Sequence, residues 1–196
     1  MKARKRLIKA IGHRLETTPI DQIKVANLLE DADISKQTFY RLYPDKYELL
    51  KDYYHETIVL PFYQEHQTIR DMYWSTYQTL RWFRDHRNVT RNMFFSKDSF
   101  ALKAYFRDLC IEENKQIWSA LGADMDDARM INALKIYSYG NASFLMDWFK
   151  TDMTDDLRQM ADCYFWAMPV GMFWNNPAAF ASLIESAKDA TQLEDV

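Results

Sequence analysis

The chain has 196 residues, of which 48% are hydrophobic, 15% aromatic and 27% charged, a balance typical of a folded protein and not of a disordered one. Only four glycines and five prolines occur, too few for the frequent turns of an all-β sandwich or barrel. Residues 1–51 carry 11 Lys and Arg against 7 Asp and Glu, although the whole chain has a net charge of −3. We therefore expect an all-α protein in which only the basic N-terminal part meets a polyanion.

The first segment, residues 2–16, predicts an amphipathic helix because its apolar residues recur at helical spacing. Most of its lysines and arginines fall outside the apolar stripe, where they can lie beside a phosphate backbone. Arg4 is in phase with the stripe, but so near the chain start that we expect its side chain to reach water. The segment lacks the apolar core of a leader peptide, and no long apolar run follows, so we expect a cytoplasmic protein without membrane contact.

Two short helices are predicted next. The segment IDQIKVANLLEDAD predicts the first, and ISKQTFYRLY predicts the second, with Ser35 as its N-cap. The tight turn between them centres on Asp33, where we expect left-handed backbone angles. Asp45 then opens a longer helix as its N-cap.

Beyond Pro61, which should kink or end that longer helix, the pattern predicts further helices near residues 63–86, 89–95, 98–121, 125–150, 155–174 and 178–190. The last two are candidates for a partner interface, because the segment 155–174 is apolar on several faces; a wholly buried central helix is the alternative. Cys110 and Cys163 stand at no metal-binding spacing, so we expect reduced thiols in the core.

Two short helices joined by a tight turn, the second opening with small polar and basic side chains, are typical of a helix-turn-helix that reads the major groove of DNA. The segment VANLLEDADISKQTFYRLYPDKYELL resembles the DNA-binding signature of the TetR (TetR/AcrR) family of bacterial transcriptional regulators, which usually has glycine where Asp33 stands. The resemblance covers about residues 5–51. It implies an all-α fold, with a helix-turn-helix DNA-binding domain over residues 1–51 and a larger effector-binding and dimerisation domain over residues 52–196.

The resemblance also implies that Lys36, Gln37 and Thr38 face base edges at the front of the recognition helix. It implies that Tyr40 and Lys46 hold phosphates. The side chains suit these roles, because glutamine can pair with adenine, lysine can donate to guanine, and the threonine methyl group can meet that of thymine.

Three further residues are candidates for contacts with the DNA backbone. Ser35 can donate its hydroxyl to a phosphate, although it can equally serve as a helix cap alone. Lys24, early in the second helix, can pair with a phosphate, and Arg41 can face either a phosphate or solvent.

The C-terminal part holds more aromatic residues than a small helical bundle needs, which predicts either a packed core or a pocket for a flat, apolar or cationic effector. The residues that we assign to such a pocket are Tyr73, Trp74, Tyr77, Trp82, Phe106 and Trp118. The resemblance implies that a small-molecule effector changes the spacing of the two DNA-reading domains in a homodimer.

We therefore expect a DNA-binding transcriptional regulator, a ligand-responsive repressor that acts as a homodimer on a palindromic operator. An activator or an adaptor that works through a protein partner is the alternative. The sequence contains no nucleotide-binding, serine-hydrolase or zinc-protease motif, and Asp124, Asp126 and Asp127 lack the glycine and the terminal glutamate of a cation loop. We expect those aspartates to cap a helix, and we expect no enzyme activity, no cofactor and no metal.

Overall fold

The computed structural model describes residues 2–62, 69–95, 100–120 and 122–169, and every regular element in these ranges is helical. The elements are α1 (Lys2–Leu15), α2 (Val25–Ala32), α3 (Lys36–Leu42), α4 (Lys46–Tyr54), a π-helical turn (His55–Val59), α5 (Leu60–Phe62), α6 (Ile69–Asp85), α7 (Arg87–Phe94), α8 (Phe100–Ala120), α9 (Ala128–Trp148) and α10 (Leu157–Trp166). The prediction of an all-α fold is confirmed.

The chain divides into two compact units. The first consists of Met1–Pro61 and Asp85–Phe106, and the second of Phe62–Arg84 and Arg107–Val196. Helix α7 joins the first unit because Asn92 donates from its side-chain amide to the carbonyl oxygen of Leu15 at 2.8 Å and accepts from the Ile20 N–H at 3.0 Å. The functional boundary after residue 51, which falls inside α4, stays a prediction.

The core of the first unit forms along the apolar stripe of α1, which packs against α2, α4 and α7. Leu7, Ile11 and Leu15 of this stripe are fully buried, as their spacing predicts. Full burial of such a side chain stabilises the fold by about 1.5–3 kcal/mol. The rings of Tyr54 and Phe106 add an edge-on contact, with their centroids 5.8 Å apart.

Local chemistry explains where three elements depart from the predicted boundaries. Helix α2 begins only at Val25, because the preceding segment folds into a turn in which Gln22 N–H donates to the Pro19 carbonyl oxygen. Helix α4 passes through the π-helical turn just before Pro61, whose ring crowds the preceding helical turn. Helix α10 stops at Trp166 rather than continuing, because Pro169 disfavours helical angles at the residue before it. The predicted helix over 178–190 lies outside the described residues.

The second unit brings α6, α9 and α10 together through aromatic contacts. The rings of Tyr73 and Phe165 lie 5.4 Å apart, and those of Phe83 and Phe149 lie 4.7 Å apart. The expectation that both cysteines belong to the core is wrong for Cys163, which is exposed on α10. The buried face of α10 is formed instead by residues spaced three or four apart from one another, among them Met160 and Tyr164.

Two aspartates cap helices of this unit. Asp127 accepts the Arg129 N–H at 2.8 Å at the start of α9, as expected for this acidic loop. Asp156 does the same for Arg158 at 2.8 Å at the start of α10.

Candidate nucleic-acid interface

The turn before α3 depends on one residue with unusual backbone angles. Asp33 has φ 49° and ψ 59°, the left-handed conformation that was expected there. Its N–H donates to the Glu30 carbonyl oxygen at 3.1 Å, and the Ile34 N–H donates to the Leu29 carbonyl oxygen at 3.1 Å. These two bonds close α2 and turn the chain sharply into α3.

Ser35 caps α3, as predicted. Its hydroxyl oxygen accepts the Thr38 N–H at 3.2 Å and lies 3.0 Å from the Thr38 hydroxyl. The cap satisfies a backbone donor that the first helical turn would otherwise leave without a partner. It also orients the first turn of α3, where the base-reading candidates are placed.

Helix α3 has one buried face and one exposed face. Phe39 is fully buried against the rest of the first unit, whereas Lys36, Gln37 and Arg41 are exposed. Tyr40 keeps 49% of its surface exposed, and the Lys36 ammonium lies 5.9 Å from the centroid of its ring. Thr38, which shares the first turn, is half-buried, so it has less surface available for a base edge.

Two further predicted contacts lie on the elements that flank α3. Lys24 occupies the N-cap position of α2, where it is exposed. Lys46, in the first turn of α4, is half-buried, and its ammonium group donates to the carbonyl oxygens of Asp21 at 2.8 Å and Ile23 at 3.0 Å. Lys46 therefore fixes the loop before α2, a role that the sequence did not suggest.

Helix α1 adds positive charge beside the helix-turn-helix. Its exposed cations are Lys2, Lys5, Arg6 and Lys9. The guanidinium of Arg6 lies 3.2 Å from the Asp33 carboxylate, which places this charge at the turn before α3. Arg14 makes two hydrogen bonds with Asp31, at 2.6 and 2.8 Å, and these hold the pKa of the Asp31 carboxyl below its ordinary value.

A cluster behind α3 was missed by the sequence reasoning. Arg4, expected to reach water, keeps 38% of its side chain exposed and also forms ion pairs with Asp52 and, at 2.6 Å, with Glu56. The Asp52 carboxylate also accepts the hydroxyl of Tyr43, which follows α3 as its C-cap. Burial alone would raise the pKa of Asp52, but the hydrogen bonds from Arg4 and Tyr43 outweigh burial and hold that pKa below its ordinary value.

An exposed apolar side chain at the end of α3 was also missed. Leu42 keeps 40% of its surface exposed and lines a cavity of about 430 Å³ between α3 and α4. Helical spacing would instead have placed Leu42, three residues after the buried Phe39, toward the buried face, so the sequence held no signal for its exposure.

The residues predicted to form an effector pocket are divided between the two compact units. Phe106 belongs to the first unit, where it packs against Tyr54 and Phe94. The others lie in the second unit: Tyr73 is buried, whereas Trp74, 36% exposed, makes an edge-on contact with Tyr77.

Two more of these residues occupy different surroundings within the second unit. Trp82, on α6, is half-buried. Trp118, on α8, is fully buried with its ring 5.5 Å from that of Tyr137, and its indole N–H has no hydrogen-bond partner among the residues that the structure describes.

A small polar cluster lies on α8 and α9 near Trp118 in sequence. The Asn114 side-chain amide donates to the Ser138 hydroxyl at 3.1 Å, and both residues are buried. Burial raises the pKa of Glu113, one residue before Asn114, to about 7. Burial and the nearby Glu113 carboxyl likewise raise the pKa of the Cys110 thiol to about 12, so this thiol stays protonated.

Within residues 2–62, 69–95, 100–120 and 122–169, no group of three or more histidine, cysteine or acidic side chains could hold a metal ion. None of the described helices combines the length and the apolar character that a membrane crossing requires.

Comparison with known proteins adds two findings. Residues 71–166 match a family model for the C-terminal region of TetR-type transcriptional regulators. The fold is similar to that of a TetR transcriptional regulator from Rhodococcus sp. RHA1, with a TM-score of 0.59 and 11% sequence identity over 90% of this chain and 99% of that chain. No curated protein matches the sequence. The chain belongs to the TetR family of transcriptional regulators.

Proposed function

We propose that the protein binds double-stranded operator DNA through α3, with Lys36, Gln37 and Thr38 at base edges and with Ser35, Tyr40, Arg41, Lys24 and Lys46 on the phosphate backbone. The observation that carries this proposal is the division of α3 into a buried face at Phe39 and an exposed polar face. A helix that is anchored on one side and carries cationic and amide groups on the other suits the major groove.

The cationic face of α1 supports the same orientation. Lys2, Lys5 and Lys9 are exposed on a helix that packs against both α2 and α4. Such charges attract phosphates without reading the sequence, so they contribute affinity that falls steeply as the salt concentration rises.

The direct test compares Lys36→Ala with Lys115→Ala, which removes an equally exposed lysine from α8. Binding to a set of genomic duplex fragments is measured at two salt concentrations. We expect Lys36→Ala to lose about tenfold in affinity for the preferred fragment, because a good base contact contributes about 1–3 kcal/mol. Lys115→Ala should bind as the unaltered protein does, and equal losses in both variants would contradict the proposal.

The protein acts as a homodimer in this proposal, and the partner of α9 and α10 is a second copy of the same chain. Ile136 and Trp166 are 73% and 89% exposed, which is unusual for such large apolar side chains. Phe144 of α9 is 47% exposed and contacts the ring of the buried Tyr164 on α10, so this exposed ring lies where α9 meets α10. Two-fold pairing would let two recognition helices meet half-sites about 34 Å apart in a palindromic operator.

Sedimentation tests the dimer. Ile136→Glu would place a charge in the apolar surface and should shift the chain toward monomer, because an unpaired buried charge is costly. Lys135→Glu, one residue away on an exposed position of the same helix, is the control and should leave the dimer intact. A dimer that resists Ile136→Glu would exclude this surface.

The second unit binds a small-molecule effector in this proposal, and the protein is a repressor that the effector releases from its operator. Support comes from Trp118, whose buried indole N–H would donate to an acceptor on the effector. The test is a thermal-shift screen with planar aromatic amides and carboxylates. A compound that raises the melting temperature of the protein but not of Trp118→Phe, which keeps a ring and loses the N–H, supports this site.

A reporter assay separates the modes of regulation. Repression predicts that a promoter carrying the preferred operator becomes more active when the protein is deleted. Lower promoter activity after deletion would indicate an activator instead.

A further inference from the structure

We propose that Asp52 is a positioning residue for DNA recognition, and that it acts through the hydroxyl of Tyr43 to fix the orientation of α3. This inference rests on the proposed DNA-binding function. It goes beyond that function because Asp52 is not among the proposed DNA contacts. Asp52 lies behind the recognition helix, and its side chain is only 19% exposed.

The Asp52 carboxylate joins three elements of the first unit. It accepts the Tyr43 hydroxyl at Oδ2, from the residue that ends α3. The same oxygen accepts Nε of Arg4, on α1, at 2.7 Å, and Oδ1 accepts Nη2 of Arg4. The fork of Arg4 thus fixes the plane of the carboxylate, and the carboxylate in turn fixes the position of the Tyr43 hydroxyl.

Helix α3 needs such an external support because it is short. It has seven residues, about two turns, and a helix of this length gains little stability from its own hydrogen bonds. Phe39, fully buried, is one anchor. Tyr43 is a second, four residues later on the same face, with its N–H on the Phe39 carbonyl oxygen at 2.9 Å and its ring centroid 6.0 Å from that of Phe39.

Two anchors on one face set the rotation of the helix about its own axis. Phe39 and Tyr43 point inward, whereas Gln37 and Tyr40 lie on the exposed face. If the Tyr43 hydroxyl lost its partner, the last turn of α3 could tilt or rotate. A displacement of this kind weakens directional base contacts more than it weakens contacts with phosphates, because the long cationic side chains can follow a phosphate.

The chemistry of the cluster favours orientation over stability. The Arg4 side chain is still 38% exposed, so its ion pair with Asp52 gains little net free energy, because water and salt screen the attraction. Its hydrogen-bond geometry, in contrast, is demanding. A buried apolar pair at these positions could support the fold equally well, but it would not hold the Tyr43 ring at one point.

The test uses Tyr43→Phe, which removes one hydroxyl and keeps the ring. Tyr53→Phe, on α4, is the control, because Tyr53 is similarly buried and makes no contact with the Asp52 carboxylate. The full-length protein is titrated with its preferred duplex and with a duplex of unrelated sequence at the same salt concentration. Asp52→Asn, which weakens the hydrogen bond at its acceptor, is measured alongside in case Tyr43→Phe fails to fold.

We expect Tyr43→Phe to reduce the affinity for the preferred duplex about tenfold, close to the effect of losing one base contact. The affinity for the unrelated duplex, the salt dependence and the melting temperature should stay close to those of the unaltered protein, and Tyr53→Phe should change none of them. If the ratio of the affinities for the preferred and the unrelated duplex is unchanged in both Tyr43→Phe and Asp52→Asn, the role of Asp52 is overturned. The DNA-binding proposal itself would still stand in that case. A parallel loss of both affinities with a lower melting temperature would overturn the role of Asp52 too, because that pattern means simple destabilisation. An unaltered protein that shows no preferred duplex would overturn the DNA-binding proposal itself.

Discussion

Gly12 of α1 faces the ring of Tyr53 of α4 so closely that a Cβ atom added to Gly12 would lie 2.6 Å from Cε2 of Tyr53. Real Cβ atoms do not approach a ring carbon this closely, and Tyr53 is buried, so its ring has little room to move. The absence of a side chain at residue 12 therefore permits the packing of α1 on α4, the two helices that carry Arg4 and Asp52.

Gly12→Ala should destabilise the protein. Overpacking a core costs about 1–3 kcal/mol, whereas the better helix propensity of alanine returns about 1 kcal/mol. We expect a net loss of about 1 kcal/mol in the free energy of unfolding, measured by urea denaturation. In a Tyr53→Leu background the same change should be neutral or stabilising, and a loss that persists there would mean that the Tyr53 ring is not its cause.

Asp33→Gly should stabilise the protein without changing which DNA it prefers. A left-handed residue other than glycine carries backbone strain of about 1 kcal/mol or more, partly offset by the greater freedom of glycine in the unfolded chain. The ion pair with Arg6 is exposed and contributes little, so we expect a net gain of about 0.5 kcal/mol. Thermal unfolding is the measurement, and Asp33→Ala is the comparison that should lower the melting temperature.

Lys46→Ala should lower both the stability and the salt dependence of DNA binding. Two charge-assisted hydrogen bonds to the carbonyl oxygens of Asp21 and Ile23 are lost, at a cost of about 1–3 kcal/mol. If Lys46 also holds a phosphate, the slope of log K against log salt should fall in magnitude by about 1. Lys24→Ala, at an exposed position, should reduce the slope alone; a slope unchanged by Lys46→Ala would leave Lys46 with the structural role only.

Glu113→Gln should remove a pH dependence of stability. The pKa of Glu113 is raised from 4.5 to about 7 by burial, so the folded protein holds this proton more tightly than the unfolded chain does. The stability from this group is fully present below pH 4.5 and is lost as the pH rises through about 7. We expect Glu113→Gln to be more stable than the unaltered protein at pH 8, by about 2 kcal/mol, and equally stable at pH 4. Parallel stability curves over this range would contradict the assignment.

What the sequence predicts well is what neighbouring residues decide among themselves. The buried stripe of α1, the cap at Ser35 and the left-handed turn at Asp33 all depend on residues within about one or two helical turns of one another, and all three were expected. The prediction of a short helix with an exposed polar face after Ser35 follows from the same local rules.

Contacts between distant residues could not be predicted in this way. Tyr43 and Asp52 are nine residues apart, Asp52 and Arg4 are 48 apart, and Lys46 reaches carbonyl groups 23 and 25 residues away. Helical periodicity says which face of a helix is apolar, but it does not say which helix covers that face. The aromatic residues assigned to an effector pocket likewise include Phe106 and Trp118, which belong to different compact units.

In the proposed function, the exposed face of α3 reads DNA twice in each dimer. Selection from a random pool of duplexes, carried out with the unaltered protein and with Gln37→Ala, tests it most directly. We expect a palindromic site with half-site centres about one helical turn apart, and a changed preference at one base pair of each half-site in Gln37→Ala. Selection of no common sequence, or of the same sequence by both proteins at every position, would contradict it.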